Sequence, residues 1–289
     1  MSPTGTARHS PSSRGAAVGH ASNGHLPATG DGTGDPARQR QRQGGVVVVD
    51  GVPLPNPATT GNLLVGSIIG RWLASHREVL HGHVLDLGCG NCPYEPWYST
   101  LADAVVAIDP APGAGGNVRA MADEVPVRSA TMDAVLCTEV LEHVENIEGS
   151  MDEIFRVLRP GGHALITVPF LYPTHEAPYD FQRLTHIGLR SLVTRHGFDV
   201  LDAAAQGGPL TLAASWLFRA LRAAIDAAGR RVGASTPLSL RPPFRWLVVS
   251  PQQLALKVRP DATWKLSGAA RLASTGYMVL VRKPLEPAH

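Results

Sequence analysis

Three cysteines in 289 residues, Cys89, Cys92 and Cys137, are too few for a disulfide framework, and an odd count suits a reducing compartment. Residues 1–30 have no apolar core of the kind a secretory signal needs. No apolar run is long and unbroken enough to span a bilayer. The best, Ala203–Phe218, is interrupted by Gln206, Gly207, Gly208 and Pro209. A cytoplasmic location is the expectation. Lysine is missing from residues 45–206, where nine Arg face nineteen Asp plus Glu for a net charge of −10. Such a body argues against a uniformly basic nucleic-acid binder.

The compensating charge lies elsewhere. Residues 207–275 carry ten Arg plus Lys against Asp226 and Asp261, a net +8, while residues 1–44 contribute +3 and residues 276–289 contribute +1. The total of +2 therefore hides an acidic body with a basic appendage. Residues 1–44 have no aromatic, and Gly, Pro, Ser and Thr fill 21 positions. That composition cannot bury enough surface to offset ordering entropy, so a disordered tail is expected there.

From Val46 the pattern changes. Leu63, Leu64, Ile68, Ile69 and Trp72 recur at helical spacing, which predicts a helix over 61–80. Short apolar runs then alternate with helical stretches. The runs are His83–Leu87, Ala104–Ile108, Ala134–Cys137, Ala164–Val168, Phe198–Leu201 and Tyr277–Val281. A helix is predicted around Ser150–Leu158, and another over Thr185–His196 with Thr185 as N-cap. This alternation predicts an α/β protein with a mostly parallel sheet covered on both faces.

The sharpest motif is Val84-Leu85-Asp86-Leu87-Gly88-Cys89-Gly90. A strand ends in an acid, and Gly-x-Gly turns toward a helix, where missing Cβ atoms let backbone approach a ligand. Asp109 ends the next strand, placed to accept hydrogen bonds from both ribose hydroxyls of an adenosine. A dinucleotide site would carry a third Gly beside its pyrophosphate, where Pro93 stands here. Asp86 would repel a pyrophosphate but suits a sulfonium, so the order favours S-adenosylmethionine.

Five stretches extend the match: VLDLGCGNCPYEPW, AIDP, DEVPVRSATMDAVLCTEVLEHV, LRPGGHALITVPF and HEAPYDFQRLTHIGLRSLVTRHGF. Over residues 82–206, and again at 275–284, the sequence resembles the class I S-adenosylmethionine-dependent methyltransferases of the type 11 family. The resemblance implies a Rossmann-like, doubly wound, seven-stranded sheet with an antiparallel last strand, Tyr277–Val281. The methyltransferase domain would take residues 45–206 and 276–289, with a helical insertion, 207–275, before that last strand. It places Asp86, Gly88, Cys89 and Gly90 at the methionine end of the cofactor and Asp109 on the ribose. Ala122 and Asp123 would flank the adenine, and Thr138 and Glu139 would close the site. The sequence departs from the family at Cys92, where a third Gly is common, and at Met121, where an acid is common.

Methyl transfer needs an acceptor placed in line, and a base only where the acceptor must lose a proton. The loop after the fifth strand is dense in polar groups. His175 is the first candidate for a base, with Asp180 and His186 beside it. Asp180 could equally pair with Arg183 as a brace. Glu139-x-x-Glu142-His143 puts two carboxylates and an imidazole on one helical face. That triad is similar to the metal-binding residues of ubiquinone-pathway O-methyltransferases and small-RNA 2′-O-methyltransferases. Glu139, Glu142, His143 and His175 are therefore candidate ligands for Mg²⁺ or Mn²⁺.

In the insertion, Leu217, Leu221, Ile225 and Ala228 oppose Arg219, Arg222, Asp226 and Arg230. Two readings stand. The apolar face packs on the sheet as a cap, or the segment, with Trp216, Trp246 and Trp264, meets an anionic membrane. The expected activity is methylation of a small-molecule or lipid- or glycan-linked acceptor, at oxygen. The alternatives are a metal-assisted RNA 2′-O-methyltransferase, which the acidic body disfavours, and a silent cofactor-binding protein of the same fold.

Overall fold

The computed structural model describes residues 46–56, 63–111, 115–233, 237–241, 244, 246, 247 and 268–285. The chain divides into two units, Met1–Asp35 and Pro36–His289, and all the described residues lie in the second. The tail expected over 1–44, and Trp264 with most of residues 242–267, lie outside the described residues.

A hairpin of β1 (Val46–Val49) and β2 (Val52–Pro55) precedes α1 (Leu63–Ser75). The main sheet is built from β3 (His83–Leu87), β4 (Ala104–Ile108), β5 (Met132–Thr138), β6 (Leu158–Pro169), β7 (Asp199–Ala205) and β8 (Gly276–Arg282). Its order is β4-β3-β5-β6-β8-β7. The first four strands run parallel, and β8 is antiparallel to both β6 and β7. The helices between them are α2 (Glu95–Tyr98), α3 (Ile147–Val157) and α4 (His186–Arg195), followed by α5 (Pro209–Arg231) and α6 (Gly268–Leu272).

Among the described residues the sheet has six strands, not the expected seven. Beyond β4 a single parallel bridge, Ile108 to Val118, stands at that edge. The segment after Asp109 holds Pro110, Pro112, Gly113, Gly115 and Gly116, residues that weaken ladders, so one bridge does not grow into a strand.

Both faces of the sheet are apolar, as buried parallel strands require. Leu85, Leu87, Val135, Cys137 and Ile166 face Met151 and Ile154 of α3 and Leu189 and Leu192 of α4. Val84, Ala134, Leu136, Leu165 and Leu280 face Ile68, Trp72 and Leu73 of α1. Each fully buried Val, Leu, Ile or Met among them contributes roughly 1.5–3 kcal/mol. Trp72 also donates from Nε1 to Asp202 Oδ2 on β7, at 3.0 Å. Thr185 caps α4 as read, its Oγ1 accepting from the Gly188 amide at 3.0 Å.

In α5 the apolar stripe is turned outward. Thr211, Ser215 and Gly229 face inward and are buried, while Leu210, Trp216, Leu217 and Leu221 are exposed. The apolar stripe does not pack on the sheet, because the charged side makes the specific inward contacts: Arg219 lies 4.0 Å over the Tyr172 ring and Asp226 accepts from Ser239 Oγ at 3.0 Å. Among the described residues no helix is long and apolar enough to cross a membrane.

Candidate active site

The carboxyl ends of β3, β4 and β5 converge on one cavity of about 1120 Å³. Gly88, Cys89, Gly90, Asp109, Ala122, Thr138, Glu139, His143 and His175 are on its wall. The two glycines do different work. Both have positive φ, +67° at Gly88 and +53° at Gly90. A Cβ at Gly88 would lie 2.5 Å from Val140 Cγ2, whereas one at Gly90 would meet nothing within 4 Å and would enter the open space of the cavity. Asp109 Oδ2 accepts from the Gly90 amide at 2.8 Å, and Oδ1 accepts from the Ala111 amide at 2.8 Å. The second strand's acid is thus tied to the first strand's turn.

Asp86 lies behind this wall. It is buried, and Tyr98 Oη donates to its Oδ2 at 2.8 Å. Burial pushes its carboxyl up to about 7. Asp123 is also off the wall, its Oδ2 accepting from Asn146 Nδ2 at 3.1 Å. Cys89, Cys92 and Cys137 are buried and in no disulfide. Burial pushes the Cys137 thiol far above its usual range.

At the other end Glu139 has φ +54°, an outlier for a residue with a side chain, and its position is secured by neighbours. Its Oε1 accepts from Thr167 Oγ1 at 2.8 Å and from Gln206 Nε2 at 2.7 Å. Burial raises its carboxyl pKa. Glu142 is different. Its side chain is 1% exposed, and neither oxygen has a hydrogen-bond partner in another residue. Burial, then the neighbouring Glu139, push it up to about 9. Two imidazoles face it, with His143 Nε2 3.5 Å and His175 Nε2 4.0 Å from Glu142 Oε1. One donor atom from each of Glu142, His143 and His175 lies within 4.8 Å of the others. Glu139 is not in this group.

The remaining polar residues brace that cluster. His143 Nδ1 is 2.6 Å from the Tyr179 carbonyl, so that nitrogen carries the proton and Nε2 the lone pair. Asp180 holds Arg183 through two hydrogen bonds and accepts from the His175 amide at 2.9 Å. Arg183 holds the Asp180 carboxyl far below its usual range. Asp180 is off the cavity wall, and the brace is the arrangement its contacts show. His186 is not brought to the cavity; its ring lies 5.5 Å from that of Tyr277. Thr167 and Gln206 escape a sequence reading, since each acts on a residue distant in the chain.

Comparison with known proteins finds likeness over part of the chain. Residues 85–166 match the type 11 family model described as a methyltransferase domain. Over those residues the chain is similar to class I S-adenosylmethionine-dependent methyltransferases of the type 11 family. A Mycolicibacterium smegmatis protein described as "Probable S-adenosylmethionine-dependent methyltransferase" is 29% identical over 135 residues, covering 41% of this chain and 52% of its own length. A Rhizobium etli ubiquinone biosynthesis O-methyltransferase is 33% identical over 107 residues, covering 32% of this chain and 43% of its own. The chain thus spans about half the length, or less, of these curated relatives. Among solved structures, the 4+2 cyclase SpnF superposes with a TM-score of 0.52 at 16% identity, covering 78% of this chain and 86% of that one. That likeness shows the fold alone, and a shared fold does not fix the reaction.

Proposed function

We propose that the protein transfers the methyl group of S-adenosylmethionine to an oxygen of a small-molecule or lipid- or glycan-linked acceptor. The observation that carries the reading is one shared cavity. The Gly88-Cys89-Gly90 turn and Asp109 stand at one end of it, and Glu139, His143 and His175 at the other. S-adenosylmethionine fits this wall: a Cβ at Gly90 would fill the cradle, and the Asp109 carboxylate offers acceptors for ribose hydroxyls. Bound there, it supplies a methyl group already activated by a sulfonium, so acceleration comes chiefly from orienting the acceptor.

His175 is the base the geometry favours. Burial, then the neighbouring His143, lower its pKa, so the ring is neutral near pH 7. Its Nδ1 lies 3.5 Å from both Asp180 Oδ2, an acceptor, and Arg183 Nη2, a donor; the base role uses the tautomer whose Nδ1 proton faces Asp180 and whose Nε2 lone pair is turned toward Glu142. The acceptor's hydroxyl proton goes to Nε2 as the oxygen–methyl bond forms and the sulfur–methyl bond breaks. Such a base contributes about 10²–10⁴-fold. The name of the Rhizobium etli relative supports oxygen as the methylated atom.

A second reading is favoured by the orphaned oxygens of Glu142. Glu142, His143 and His175 would hold a divalent cation, which would polarise the acceptor hydroxyl. One carboxylate with two imidazoles suits Mn²⁺ better than Mg²⁺. Ligation and base catalysis by His175 exclude each other.

Calorimetry with S-adenosylmethionine tests the main reading. Wild type should bind and Asp109→Ala should bind more weakly; no binding by wild type refutes it. Metal analysis after dialysis against Mn²⁺ tests the second. Retention by wild type that is lost in Glu142→Ala supports ligation, and equal negligible content in both removes it.

A further inference from the structure

We propose that α5 docks on an anionic membrane surface with its outward face in the acyl boundary. At helical spacing the outward arc from Leu210 to Ala228 holds only Leu, Ala and Trp. Leu210 is 74% exposed, Leu217 66%, and Trp216, on the arc's border, 49%. Surface helices of soluble proteins show the reverse, with charge outward and the apolar stripe inward. Here the charges are committed to the protein. Arg219 lies over Tyr172, and Arg222 Nε is 3.8 Å from Asp226 Oδ2. Asp226 in turn accepts from the Ser239 amide at 2.9 Å. Rolling the helix to bury its apolar face would break the contacts with Tyr172 and Ser239.

Charge complementarity selects the occupant. The arc sits within residues 207–275, which carry a net +8, and the exposed Arg230 and Arg231 follow it directly. A second copy would set like charge against like charge. An anionic lipid surface meets both features, apolar area for the acyl boundary and cations for the headgroups. With Arg219, Arg222, Asp226, Arg230 and Arg231 along it, α5 lies in the interface and does not cross it.

The docked helix stands beside the cavity. It starts just after Gln206, the residue that holds Glu139, and Arg219 stacks on Tyr172, whose ring is 5.1 Å from that of His175. The acceptor is therefore one presented at a lipid surface. That last step rests on the methyltransferase reading; the docking itself does not.

The test is sedimentation of the full chain with vesicles of mixed phosphatidylglycerol and phosphatidylcholine, and with vesicles of phosphatidylcholine alone. Wild type should pellet with the first and stay in solution with the second. Leu217→Glu combined with Leu221→Glu should lower partitioning about tenfold or more. The Arg230→Glu, Arg231→Glu variant should do the same if the apolar variant fails to fold. Wild type staying in solution with the anionic vesicles overturns the proposal. So does wild-type partitioning retained in both variants. So does a wild-type dimer, in lipid-free ultracentrifugation, that Leu217→Glu dissociates. Calorimetry with S-adenosylmethionine on the same samples separates the two readings: its failure alone sinks methyl transfer and leaves docking standing.

Discussion

Gln206 donates from Nε2 to Glu139 Oε1 at 2.7 Å, across a separation of 67 residues. The bond joins the end of β7 to the turn after β5 and, with Thr167, opposes the rise in pKa that burial imposes on this carboxyl. Gln206→Ala should therefore raise the Glu139 pKa further and weaken binding of the cationic cofactor. Titration of the Glu139 side chain by carbon-detected NMR reads the first effect, and an unchanged curve would show the bond to be inconsequential.

Gly88 and Gly90 should separate stability from binding. Alanine at either carries a left-handed backbone strain of about 1–3 kcal/mol. At Gly88 it also meets Val140, adding about 1–3 kcal/mol of overpacking. Gly88→Ala should then melt several degrees below Gly90→Ala, at ~2–4 °C per kcal/mol. Gly90→Ala should lose S-adenosylmethionine affinity, since its methyl group enters the cavity. Melting scans and calorimetry on the two proteins check the pair; equal melting points would refute the Val140 contact as a constraint.

Stability without cofactor or metal should fall as pH rises. Burial holds Glu142 at about 9 and Asp86 at about 7, both above the unfolded carboxyl values, so the folded state binds more protons in between. That stabilisation is complete below the unfolded values. It is lost progressively above them, the Asp86 share being gone once Asp86 ionises near pH 7 and the Glu142 share once Glu142 ionises near pH 9. Glu142→Gln should flatten the upper part of the decline. Melting curves in chelator across this range provide the measurement, and a wild-type melting point independent of pH would contradict it.

Asp180→Asn should disturb His175 from a position off the cavity wall. It removes a negative charge that raises the His175 pKa and exposes the ring to the positive field of Arg183. The His175 pKa should move further down, seen as a displaced imidazole titration by proton NMR. The melting point should also fall by several degrees, because Arg183 loses its partner. A variant with unchanged melting and titration would show that the brace has no hold on His175.

Local chemistry made much of the cofactor end legible. The Asp86–Gly90 turn and Asp109 advertise themselves because a strand, an acid and a Gly-x-Gly occur in one short span. The cap at Thr185 is readable for the same reason. The partners of Glu139 are not, since Thr167 and Gln206 reach it only through the pairing of distant strands. The periodicity of Leu217 and Leu221 reveals an apolar stripe but not its direction, which Arg219 and Asp226 decide through Tyr172 and Ser239. The seventh strand failed because apolar Val118 lies in a span of Gly and Pro that supports a single bridge.

β8 pairs with β6 on one side and β7 on the other, yet it follows β7 by some seventy residues in the chain. During synthesis, β6 and β7 must therefore leave the ribosome as bare, sticky edges and wait for their shared neighbour. The sheet can be completed only after the basic segment has emerged. Any factor that engages α5 early would thus act on a half-built protein, and premature release before Arg282 would yield an aggregation-prone chain.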